Sequence, residues 1–287
     1  MIRPIIHDVR SQHKESTGRN KLFHYSLLTT HYSLLTTHGT HMHQFASPAQ
    51  FARISAAVLP VAMAIAVLCG VLGLYLGLVV APDDYQQGAA VKIMYIHVPA
   101  AWMASACYAF MAMMSASFLI WRHTMADVLA RSAAPIGAVF TLICLITGML
   151  WGKPTWGAYW VWDARLTSML VLLLLYVGYL GVAMSGEHSE KVKVASAWIA
   201  LVGAINLPII KYSVEWWNSL HQGASILREG GPSIHASMLY PLLLMISAFS
   251  ALFVVLVLVR ADTALKQVKL RRLQIQRIAL KNAAIER

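Results

Sequence analysis

With 287 residues, 58% of them hydrophobic and only 12% charged, the chain carries about half the roughly 25% charged fraction of an average soluble domain, which argues against an ordinary water-soluble enzyme. The 23 Lys and Arg against 12 Asp and Glu leave a net charge of +11. Those cations are sorted along the chain in the manner of membrane sidedness, so the basic balance does not point to nucleic acid.

Residues 1–50 stand apart in composition. Seven of the twelve histidines fall between His7 and His43, and His-Tyr-Ser-Leu-Leu-Thr-Thr is repeated in tandem from His24 to Thr30 and from His31 to Thr37. The stretch has too few apolar residues for a core and no apolar region of the kind a signal peptide carries. A disordered, low-complexity extension is expected, with Met42 as a candidate later start; a metal-binding tract is the alternative.

Six uncharged runs follow: Ile54 to Val80, Val98 to Trp121, Ala133 to Leu150, Leu166 to Ser185, Val194 to Ile210 and Met238 to Val259. A hydrocarbon layer about 30 Å thick takes ~20 apolar helical residues to cross. Lipid offers the backbone no hydrogen bonds, so spanning segments close their own. The pattern predicts an all-α integral membrane protein with six transmembrane helices over residues 51–260 and no separate soluble domain.

If the amino terminus is cytoplasmic, eighteen of the 23 Lys and Arg lie on cytoplasmic segments, and the outer loops keep five: Lys92, Lys153, Arg165, Lys211 and Arg228. This asymmetry predicts both termini in the cytoplasm. Three loops then face outward: Ala81 to His97, Trp151 to Arg165, and Lys211 to Ser237. Residues 261–287 form a basic cytoplasmic tail, with Lys266, Lys269, Arg271, Arg272, Arg277 and Lys281 among Leu and Ile. It reads either as a solvated topology anchor or as a helix resting on an anionic leaflet. Cys69, Cys107 and Cys144 all fall inside apolar runs, which suits small core hydrophobes rather than a disulfide or zinc framework. No C-x-x-C-H occurs, so covalently attached haem is not expected.

Chemistry is sought first on the outer side. The second outer loop places Trp151, Trp156, Tyr159, Trp160 and Trp162 within twelve residues. One or two aromatics at a helix end are an interfacial belt. Five clustered rings, with Gly152 and Gly157 keeping the backbone low, suggest a flat apolar platform for a large planar ligand. Outside the amino-terminal stretch, His123 and His188 fall in cytoplasmic loops, whereas His97, His221 and His235 share the face of the aromatic loop. Pro99 marks a helix start, which sets His97 at the outer mouth of helix two. A lone loop histidine is more often merely polar, but two beside a tryptophan-rich shelf form a constellation. Haem fits it: two neutral imidazoles fill both axial positions of iron while the porphyrin lies against aromatic rings. Arg165, Lys153, Lys211 and Arg228 are candidate partners for the propionates, Arg being suited to bidentate contact. Asp163 is a candidate acceptor for an indole or ligand-histidine N–H.

At these residues the sequence resembles a known family. W-G-A-Y-W-V-W-D, from Trp156 to Asp163, matches the W-G-x-x-W-x-W-D signature of the haem-handling proteins of cytochrome c maturation. Y-I-H-V-P-A-A from Tyr95, W-G-K-P-T-W-G from Trp151, W-D-A-R-L-T from Trp162, N-L-P-I-I from Asn206 and Y-S-V-E-W-W-N-S-L-H-Q-G from Tyr212 are similar to CcmC, the haem exporter protein C family. The resemblance covers approximately Phe51 to Val259. It implies a six-helix protein of the bacterial inner membrane that holds haem as transient, non-covalent cargo at the periplasmic surface. By motif, His97 and His221 are the implied iron ligands, and Trp151, Trp156, Gly157, Trp160, Trp162, Asp163 and Arg165 the implied surroundings. The implied partners are the periplasmic haem chaperone CcmE, the small membrane protein CcmD and the transporter subunits CcmA and CcmB. The histidine-rich extension and His235 lie outside the family pattern. The resemblance and the want of an evident nucleophile or acid–base pair point to a transfer factor rather than an enzyme. Two rivals are a b-type cytochrome subunit, disfavoured because none of the apolar runs contains a histidine, and a permease carrying its substrate through the bundle, for which Asn206 and scattered Ser and Thr are thin support.

Overall fold

A computed structural model describes residues 47–186, 189–221, 223, 225–226 and 228–285. The extension expected over residues 1–46 lies outside the described residues. Helix α1, Pro48–Tyr75, starts with Ser47 and Pro48 in the order that favours a helix beginning, and runs on as a π-helical turn over Leu76–Val80. A 3-10 turn, Ala89–Ile93, leads into α2, Met94–Trp121. After the two-residue link Arg122–His123 come α3, Thr124–Trp156, and α4, Ala164–Met184. The fifth span is made of α5, Glu190–Gly203, and α6, Asn206–Trp216. The sixth is α7, Ala236–Ile285. No strand occurs among the described residues, and the protein is all-α with six helical segments long and apolar enough to cross a membrane.

The six expected spans are present, and most of their ends lie further out than the uncharged runs. Helix α3 begins at Thr124 because Asp127 and Arg131, one turn apart, neutralise each other at 2.9 Å. The Arg131 guanidinium also donates to the Ala183 carbonyl at 2.6 Å, closing an exposed acceptor at the end of α4. Arg131 is therefore a half-buried helix residue rather than a loop cation. Helix α2 likewise starts ahead of Val98, so Pro99 lies inside it and His97 belongs to its second turn. The α5–α6 break falls where Pro208 lacks the N–H that would continue the ladder to Ala204. There the buried Asn206 amide donates to the Ser168 carbonyl at 2.9 Å and anchors the break to α4.

The core sits between α2, α3, α4 and α5, where Tyr108, Met111, Leu172 and Tyr176 are fully buried. Each buried tyrosine needs a polar partner. The Tyr176 hydroxyl finds one by donating to the Ala104 carbonyl at 2.8 Å. Helix α1 packs along α7, yet only 11% of its apolar window is buried, the pattern of a helix facing lipid. The basic tail continues α7 without interruption, giving a 50-residue helix about 75 Å long.

Candidate functional site

One end of the bundle gathers the start of α2, the end of α3, the start of α4 and the segment after α6. The Trp151 indole N–H donates to Gln87 Oε1 at 2.7 Å, joining α3 to the α1–α2 connection. Across that connection Lys92 pairs with Asp83 at 3.0 Å and donates to the Leu78 carbonyl at 3.3 Å.

His97 projects from α2 onto α3. Its Nδ1 lies 3.1 Å from the Cys144 carbonyl oxygen and 3.1 Å from Thr147 Oγ1. The ring meets Trp151 edge-on, with centroids 5.6 Å apart at 82°. Gly148 permits this approach, because a Cβ there would stand 3.1 Å from His97 Cε1.

His221 sits in the segment between α6 and α7. Its ring meets Trp156 at 4.9 Å and 67°, and its backbone N–H donates to Ser219 Oγ at 3.1 Å. Its Nδ1 faces Asp163 Oδ1 at 3.4 Å, without the alignment of a hydrogen bond. Asp163 is buried and caps α4, accepting from the backbone N–H of Arg165 at 2.8 Å and of Leu166 at 3.3 Å. Its other oxygen accepts from the Leu220 N–H at 3.1 Å, so one carboxylate ties the His221 segment to the start of a spanning helix. Burial raises the Asp163 pKa, but the Ser219 hydroxyl, the Arg165 and Leu220 N–H groups and the nearby imidazole outweigh it, and the net shift is downward. His221 is shifted down as well: its burial outweighs the attraction of Asp163, which favours the neutral ring that a metal requires.

Arg165, in the first turn of α4, donates from Nε to Ser213 Oγ at 3.2 Å, close in sequence to the Asp163 that faces His221. Two histidines 124 positions apart in sequence are thus brought to one end of the fold. Among the described residues, no three or more His, Cys, Asp or Glu form a group able to hold a bare metal ion. Two imidazoles, two indoles and a guanidinium are instead side chains that could hold an iron macrocycle bearing carboxylates, the imidazoles toward iron and the guanidinium toward a carboxylate.

The aromatic cluster differs from the flat shelf expected. Trp151 and Trp156 are not in a loop but in the last turns of α3, which ends at Gly157 with φ 78°, a left-handed conformation suited to glycine. Their rings separate, Trp151 toward His97 and Trp156 toward His221. Trp160 and Trp162 pair with each other at 5.6 Å and 82°, with Trp162 79% exposed. Lys153 donates to the Gly157 carbonyl at 3.1 Å and lies over Tyr159. His235 is exposed, and its Nδ1 lies 2.8 Å from Ser237 Oγ at the entrance to α7.

Thr147, Gly148 and Ser219 escaped the sequence reading. A signal for the first two existed: Cys144, Thr147, Gly148 and Trp151 lie at i, i+3, i+4 and i+7, on one helical face. Ser219 carried no such signal.

Fold and site together define a six-span, all-α membrane protein with an imidazole pair at one end of its bundle, each ring set against a tryptophan. The chain belongs to the CcmC family, described as Heme exporter protein C, whose family model matches residues 41–276. That match is wider at both ends than the motif-bearing stretch. The chain is 50% identical over 229 residues to the Heme exporter protein C of Bradyrhizobium diazoefficiens, covering 80% of this chain and 87% of that one. It is 42% identical over 240 residues to the Heme exporter protein C of Escherichia coli K12, covering 84% and 97%. A relative from Marchantia polymorpha, whose name includes "cytochrome c biosynthesis ccmC-like mitochondrial protein", is 50% identical over 178 residues, covering 62% and 75%.

Proposed function

We propose that this protein binds haem between His97 and His221 at the periplasmic face of the bacterial inner membrane and presents it to the chaperone CcmE during c-type cytochrome maturation. The observation that carries the reading is the convergence of the two imidazoles on the last turns of α3, each against an indole. The names of the relatives, with haem export in two and cytochrome c biosynthesis in the third, support the same cargo and pathway. The charge asymmetry supports the periplasmic side, since only five Lys and Arg fall on the outer segments and helix ends.

The chain's residues divide the work of holding. His97 and His221 offer iron their ring nitrogens. Trp151 and Trp156 shield the imidazoles from water, and the edge-paired Trp160 and Trp162 border the macrocycle. Arg165 attracts a propionate, with Lys153 as a second cation. Exposure of Trp162 leaves one side of the site open to a partner, so haem is handed on by release of the iron–imidazole bonds, with the macrocycle unchanged. On this reading it is a transfer factor and not an enzyme, working beside CcmD, CcmA and CcmB. A site at one end of the bundle favours presentation over electron relay through the hydrocarbon layer.

The test is an absorption spectrum of the full-length protein purified in detergent and titrated with haem. A bis-imidazole spectrum is expected, lost or converted to a single-ligand form in His97→Ala and in His221→Ala. Wild-type spectra and haem content in both variants would overturn the assignment.

A further inference from the structure

Resting on the haem reading, we infer that Thr147 is a positioning residue: with the Cys144 carbonyl it fixes which nitrogen of His97 faces the ligand. The carbonyl oxygen of Cys144, 3.1 Å from His97 Nδ1, can only accept a hydrogen bond. Thr147 Oγ1 is equally near Nδ1, but its single proton is committed elsewhere. It lies 2.6 Å from the Ile143 carbonyl and 3.2 Å from that of Cys144, and both must receive rather than give. The hydroxyl proton goes to Ile143, the shorter contact, and a lone pair of Oγ1 is left toward His97. Nδ1 therefore faces two acceptors and carries the ring proton. A neutral imidazole has one N–H, so Nε2 is bare and serves as the ligating atom.

Gly148 completes the arrangement. Its missing side chain admits Cε1, the carbon between the two nitrogens, to the surface of α3. One face of one helix thus supplies an acceptor from the backbone, an acceptor from a side chain, and a gap for the ring. An imidazole whose N–H is hydrogen-bonded is the better electron donor, and loss of such a partner typically weakens a metal site.

The experiment is a double-variant cycle on the full-length protein in detergent, using haem as the probe. Thr147→Val keeps the side-chain shape and removes the hydroxyl; Thr147→Ser restores it. Thr147→Val is expected to weaken haem affinity roughly 10-fold, to raise the midpoint potential because ferric iron loses donation, and to shift the absorption bands. Thr147→Ser is expected to return all three toward wild type. In the His97→Ala background, Thr147→Val should change nothing further, because its partner is gone. If His97→Ala itself leaves haem binding intact, the underlying haem assignment fails. If His97→Ala abolishes ligation but Thr147→Val matches wild type, the positioning role alone is overturned. A loss that Ser does not rescue, or that persists in the His97→Ala background, also overturns it, since the effect would then lie in folding or packing.

Discussion

His97 and His221 carry the same side chain into unlike settings. His97 is wedged between two packed helices, with Nδ1 between two acceptors and its ring over a glycine. His221 sits on an inter-helix segment, tied to the bundle by the Asp163 carboxylate and the Trp156 ring and, further along, by the packing of Ile226. The difference teaches how a clasp is built from one fixed and one movable jaw. A helix face holds a ring in register with contacts that give way only with the helix, whereas a connecting segment can open without unfolding a spanning helix. On the haem reading, His97 retains the cargo and His221 lets it go.

The contrast can be broken at its hinge. Asp163→Ala removes the cap of α4, the anchor of Leu220 and the neighbour of His221 together, and haem retention is expected to fall roughly 10- to 100-fold. Stopped-flow transfer of haem to a soluble acceptor should show the loss mainly as faster release. Release at the wild-type rate would remove the movable-jaw reading. Gly148→Ala probes the other jaw and separates stability from function. Alanine adds about 1 kcal/mol of helix propensity, enough to offset the low end, about 1 kcal/mol, of the crowding at a Cβ 3.1 Å from His97 Cε1, while the displaced ring meets iron less well. Thermal unfolding should stay level or rise as haem affinity drops about 10-fold. A joint fall of both would mean that the glycine serves packing rather than the ring.

Ser219→Ala sharpens the comparison with a smaller effect. It removes the hydroxyl that supports Asp163 and receives the His221 N–H, and should cost about 1 kcal/mol of haem affinity, read by titration, with the His97 side unaltered. Trp162→Ala is the mildest for the fold. At 79% exposure it should change stability by less than about 0.5 kcal/mol. Transfer to the acceptor is expected to slow while haem content persists, and unchanged transfer would leave Trp162 as an interfacial residue only.

Much of this was legible in the chain. The six spans were readable from uncharged runs, because the length a helix needs to cross hydrocarbon is a local property. Their ends were not. Asp127 and Arg131 cut the third run short on paper, yet in the fold they neutralise each other across one turn and the helix passes through them. Trp151 and Trp156 read as loop residues among Gly and Pro, yet α3 reaches Trp156, because a proline near a helix end forfeits few hydrogen bonds. The candidate ligands were named by residue type and motif, but Thr147 and Gly148 looked like ordinary members of an apolar run. Nothing in their neighbours announces that a ring from another helix rests on them.

Composition and the placement of apolar runs determined by themselves that this chain is a helical membrane protein, and the spacing of His and Trp named the residues of its candidate site. Only the tertiary structure decided which of those side chains meet and through which atoms they are held. The reason is physical: burial in lipid is decided residue by residue along a helix, whereas a hydrogen bond to an imidazole depends on where a second helix, fifty positions away, comes to lie.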